Sequence, residues 1–78
     1  MTLTLQHART ELDARLALVK TNIGRMRILE TDRRLRDLER KPPATAVLEA
    51  GAAAGLLVDI YSTAAWEEAA TAPDGRAA

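Results

Sequence analysis

Pro42 and Pro43 stand between two stretches built almost wholly from helix-forming residues, and this pair sets the organisation that the sequence predicts. Between Leu3 and Lys41 there is no proline, and only Gly24 disfavours helix. The residue before a proline is pushed out of the α region, so a helix running from the N-terminus must stop by Lys41. Pro43 can open a second helix, where its missing N–H is not needed. The sequence therefore divides into a long basic helix over 1–41, a turn at 42–43, an Ala- and Gly-rich acidic helix over 44–70 and a frayed tail over 71–78. Helices of about 36 and about 27 residues would span roughly 54 and 40 Å. A two-residue connection folds them back on each other, so the expected fold class is all-α, an antiparallel two-helix hairpin.

Charge follows the same boundary. Residues 1–41 hold ten basic and six acidic residues; residues 42–78 hold Arg76 against Glu49, Asp59, Glu67, Glu68 and Asp74. The simplest expectation is compensation between neighbouring helices, supported locally by acid-before-base pairs at i,i+4: Glu11–Arg15, Glu30–Arg34, Asp32–Arg36 and Asp37–Lys41. Either Thr2 or Thr4 can cap the first helix.

The apolar pattern asks for more than a hairpin. Leu5, Ala8, Leu12, Leu16, Val19, Ile23 and Met26 form one helical stripe. Beyond Gly24 the stripe gives way to Ile28, Thr31, Leu35 and Leu38, displaced by roughly 100° or more around the axis. A bend, or a change of neighbour along one helix, would account for the switch, and a change of neighbour is the expectation. The second helix has a small-residue stripe through Leu48, Gly51, Gly55, Val58, Ser62, Ala65 and Ala69, and a second stripe through Ala53, Leu56, Leu57, Ile60 and Ala64. Antiparallel register would place Leu38 near Val47, Leu35 near Gly51 and Ile28 near Gly55, large residues filling the gaps left by glycine. A helix apolar on nearly all sides needs cover on more than one. The expected cover is a second copy of the chain or another protein, a homodimeric four-helix bundle being favoured, with Gly51, Gly55, Leu56, Leu57, Val58, Ile60, Tyr61 and Trp66 at the oligomer or partner interface.

No catalytic or metal site emerges. There is no cysteine, so neither a disulfide framework nor a Cys-based zinc site is available, and His7 with Glu11 supplies two potential ligands where a specific site needs more. Gly51 to Gly55 lacks the Gly-Lys-Ser/Thr ending of a phosphate loop and lies inside a helix. No cofactor is expected. Arg25, Arg33, Arg36 and Arg40 fall within roughly 80° on the helix wheel and could grip a polyanion, although no aromatic on that helix could stack a base. The N-terminus has no secretory pattern, and Glu49 and Asp59 interrupt the most apolar stretch, so a cytoplasmic location without a membrane partner is expected. The sequence thus points to a non-enzymatic interaction protein that self-associates and binds, bridges or inhibits another macromolecule, with RNA binding through the arginine ridge as the alternative. The Ala- and Arg-rich, Lys-poor composition points to a GC-rich genome and a phage- or plasmid-borne accessory factor. In shape alone the expected dimer is similar to the Rop-type RNA-binding hairpins, a likeness that does not carry function.

Overall fold

The protein is described by a computed structural model covering residues 2–71. These residues form three helices: α1 (Leu5–Leu18), α2 (Asn22–Arg40) and α3 (Ala46–Ala70). The tail expected over 71–78 lies outside the described residues except for Thr71, which ends α3. Each helix opens on a threonine. Thr4 Oγ accepts from His7 N–H at 3.2 Å, Thr21 Oγ from Gly24 N–H at 2.9 Å and Thr45 Oγ from Leu48 N–H at 3.2 Å, relieving one unpaired donor at each start. Thr45 also corrects the start expected at 44, with Pro43 left in the connection rather than in the helix.

The two-helix hairpin gives way to a three-helix bundle, because the long N-terminal helix is broken. Val19 has φ −66° and ψ 136°, and Thr21 has φ −101° and ψ 155°, so the chain runs extended between α1 and α2. Unbroken, a helix of about 36 residues would overrun the roughly 37 Å length of α3 and leave much of its apolar stripe without a partner. Broken, it places two antiparallel helices beside α3. Cross-helix pairs fix the directions. Leu5 N–H donates to Glu49 and the Lys20–Thr21 turn meets Glu67, so α1 runs parallel to α3. Arg34 pairs with Asp59 at 2.7 Å, so α2 runs against both.

The break resets the helical phase and explains the switch of stripe. In α1, Leu5, Ala8 and Leu12 are buried, with Leu16 half-buried; in α2 the core positions are Ile28, Thr31 and Leu35, with Leu38 half-buried. Ile23 and Met26, expected to continue the first stripe, are instead 55% and 69% exposed. From α3 come Ala53, Leu56, Leu57 and Ile60. Fully burying a leucine or isoleucine side chain such as Leu12, Leu35 or Ile60 contributes about 1.5–3 kcal/mol.

α3 is therefore turned by roughly half a revolution from its expected orientation. The stripe through Leu56, Leu57 and Ile60, expected to meet a second copy, is the chain's own core, because α1 covers what a lone hairpin partner could not. The stripe through Gly51 and Gly55 faces solvent, and the expected contacts of Leu35 with Gly51 and Ile28 with Gly55 are not made: a Cβ on either glycine would have nothing within 4 Å.

Two glutamates on the inner side of α3 hold the other helices by their N-terminal ends. Glu49 Oε2 accepts from Leu5 N–H at 2.9 Å. Glu67 accepts from Lys20 N–H, from Thr21 N–H at 3.2 Å and from Thr21 Oγ at 2.5 Å. A carboxylate placed where helix N–H groups lack partners is favoured by both hydrogen bonding and the helix dipole. Gly24 makes the second clamp possible. A Cβ there would strike the Glu67 carboxylate and sit 2.9 Å from Thr21 Oγ and 3.0 Å from Val19 Cγ2.

The three helical glycines should therefore separate on substitution by alanine. At dilutions where the chain is monomeric, Gly51→Ala and Gly55→Ala are each expected to stabilise the fold by about 0.5–1 kcal/mol, the ordinary helix gain. Gly24→Ala is expected to lower stability in spite of that gain. Urea unfolding of the three variants measures this directly, and a stabilised Gly24→Ala would contradict the close approach of Glu67.

Candidate functional site

Two exposed faces stand out once the bundle has closed. The first is the outer side of α3. Val47, Leu48, Gly51, Gly55, Val58, Ser62 and Ala65 are all exposed, with Trp66 at one edge. Val47 is 81% and Val58 62% exposed, and none of the eight carries a charge. From Val47 to Trp66 the strip is about 30 Å long. Of the residues expected at an interface, Gly51, Gly55, Val58, Tyr61 and Trp66 remain available on the surface, whereas Leu56, Leu57 and Ile60 do not. Tyr61 and Trp66 each lie under an arginine of the same chain: Arg15 stands 5.9 Å from the Tyr61 ring centre and Arg27 5.5 Å from that of Trp66, within cation–π range. α3 has the length and apolar content of a membrane span, with a mean hydropathy of 1.3 over its best window, but its core stripe is committed to α1 and α2.

The second face is the outer side of α2. Arg25, Arg33, Arg36 and Arg40 are all exposed there, as the helix wheel predicts. Arg36 pairs with Asp32 at 2.8 Å and Arg40 with Asp37 at 2.6 Å. Arg25 and Arg33 make no ion pair among the described residues. Between the arginines stand Met26 and Leu29, the latter 47% exposed.

The ion pairs differ from those expected. Of the four predicted i,i+4 pairs only Asp32–Arg36 forms among the described residues; Arg34 turns to Asp59 and Asp37 to Arg40. Among the described residues, Arg34–Asp59 is the one salt bridge between the basic and acidic halves. The main network lies within the basic half, where Arg9 of α1 meets Asp32 at 2.5 Å and Glu39 at 2.7 Å. Hydrogen bonding to Arg9 holds the Glu39 carboxyl below its ordinary range, and the Arg9 guanidinium is raised in turn.

A groove of about 490 Å³ opens where α1 stops and α3 runs on, with Leu18, Tyr61, Ala64 and Ala65 among its walls. Arg15 and Lys20 bring positive charge to it and Glu68 negative charge. Tyr61, Thr63 and Thr71 carry its hydroxyl groups, and no histidine lines the groove to activate them. His7 lies on the exposed first turn of α1, and among the described residues no group of three His, Cys, Asp or Glu is placed to hold a metal ion.

The chain matches no protein family, no curated protein and no solved structure.

Sequence reasoning assigns no positioning role to Glu49, Glu67, Gly24 or Arg9, which orient the helices that carry the two faces. A signal existed for part of this. Glu49 and Glu67 are eighteen residues apart, five full turns, and so share the α3 side that carries Leu56 and Ile60. Thr21-Asn-Ile-Gly24 has a capping threonine three residues ahead of the only glycine in the basic half.

Burial works against the charge on Glu67, but Thr21 Oγ and the Lys20 and Thr21 N–H groups outweigh it and hold the carboxyl below its ordinary range. A carboxyl lowered in this way contributes stability that is complete above its unfolded value, about 4.3, and is lost as pH falls through the folded value. Urea midpoints are therefore expected to drop below about pH 4, and Glu67→Gln should lower the midpoint at pH 7 while narrowing its gap from the unmodified chain in acid. Parallel midpoint-against-pH curves would show that the clamp is not electrostatic.

Proposed function

We propose that this chain is a non-enzymatic helical interaction module that self-associates through the outer face of α3. The observation that supports the reading most is the pair of exposed glycines. Glycine inside a helix costs about 0.5–1 kcal/mol relative to alanine, and neither Gly51 nor Gly55 has a neighbour in its own chain that a Cβ would disturb. Such positions suit a second helix backbone approaching closely from outside.

The occupant that fits is another copy of α3, antiparallel about a two-fold axis between Gly55 and Val58. That register sets Val58 of each copy against Gly55 of the other, Gly51 against Ser62 and Leu48 against Ala65, large opposite small along the strip. The uncharged face leaves no like charges opposed. The assembly would contain six helices rather than the four of a hairpin dimer. Binding, bridging or inhibiting a further macromolecule is the role that this scaffold would then serve, as expected of a small accessory factor.

Light scattering after size exclusion is expected to give twice the mass of one chain. Gly55→Arg should leave the helical spectrum unchanged and monomer stability no lower, because its side chain has open space and arginine favours helix over glycine, while weakening association at least about tenfold by placing an unpaired charge in the contact. A chain that stays monomeric at high concentration, or a Gly55→Arg variant that associates normally, would overturn the reading.

A further inference from the structure

We propose that the outer face of α2 docks the protein flat on an anionic phospholipid bilayer. The break at 19–21 carries the inference. It turns Ile23 and Met26 out of the stripe that α1 buries and leaves them, with Leu29, exposed on the helix that also bears the arginine ridge. Arg25, Leu29 and Arg33 follow one another at i,i+4, and Met26 lies beside them, so apolar and cationic groups interleave on one surface. Glu30 is the acidic residue on its flank without a described ion pair; Asp32 and Asp37 are taken up by Arg36 and Arg40.

The shape and chemistry of the face select its occupant. Two grooves of the bundle, both walled by α3, are lined without Arg25, Met26, Leu29 or Arg33, which stand exposed on the outer side of α2. Phosphates of a nucleic acid would satisfy the arginines but leave Met26 and Leu29 in water, and α2 has no aromatic residue on which a base could stack. A bilayer surface meets both demands. Its headgroup phosphates take the guanidinium groups, and its deformable acyl boundary admits the protruding side chains of Met26 and Leu29. This departs from the absence of a membrane partner that the sequence suggests, since the sequence assigns Ile23 and Met26 to the core.

Sedimentation of the full chain with vesicles tests the proposal. Retention is expected on vesicles rich in phosphatidylglycerol, at least about tenfold above that on pure phosphatidylcholine, and it should fall with added salt. Arg25→Ala with Arg33→Ala, and separately Met26→Ser with Leu29→Ser, should each reduce retention by about tenfold. All four positions are exposed, and an unchanged helical spectrum verifies each variant. Equal retention on neutral vesicles, no retention on anionic ones, or full retention by the Met26→Ser, Leu29→Ser variant would overturn the proposal. Tighter binding to a short RNA than to anionic vesicles would overturn it in favour of a nucleic-acid ridge.

Discussion

The carboxylate of Glu67 bridges the gap between α1 and α2, and the rest of the fold depends on that connection staying open. Breaking a helix leaves N–H groups without partners, which costs free energy wherever water cannot reach them. Glu67 takes up two such N–H groups and the Thr21 hydroxyl together. With the connection held, α1 turns back along α3 and brings Leu5, Ala8 and Leu12 to the apolar side that α2 alone could not cover. Glu49 repeats the device at the far end by accepting from Leu5 N–H. α3 therefore organises the bundle in two ways at once, through its core stripe and through a carboxylate near each end.

This arrangement also determines what is left outside. Because α1 supplies the missing cover, the large residues of α3 are spent on the chain's own core, and the small ones face outward. Because the connection is extended, α2 starts with a new phase, Ile23 is left exposed, and Met26 and Leu29 share the solvent side with Arg25 and Arg33. One face is smooth and uncharged; the other is cationic with apolar points. Both arise from the same three-residue interruption.

Much of this was legible in the sequence, and the failures have specific causes. The helical class, the end of the basic helix before Pro42, a threonine cap at residue 2 or 4, the start of the first apolar stripe through Leu5, Ala8 and Leu12, and the second through Ile28, Thr31 and Leu35 follow from spacing and propensity. The break does not, since Val19-Lys20-Thr21 contains neither proline nor glycine and helix propensity alone would carry the chain through it. What stops the helix is a tertiary partner forty-six residues away from Thr21. The orientation of α3 was missed for a linked reason. With one neighbour assumed, the glycine stripe looked like the tight contact; with two neighbours, the bulkier stripe makes the core. The arginine ridge was legible, because it needs only the helix wheel. The exposed apolar residues beside it were not, because their exposure depends on the break.

Amide exchange and chemical shifts along residues 17–24 test the account most directly. The first N–H groups at a helix start ordinarily exchange fast for want of an intrahelical partner. Extended Cα shifts are expected at Val19 and Thr21, with slow exchange at Lys20 and Thr21 that is lost in Glu67→Gln while Leu5, held by Glu49, keeps its own protection. Helical shifts running unbroken from Leu18 to Asn22, or protection at Lys20 and Thr21 indifferent to Glu67, would contradict it.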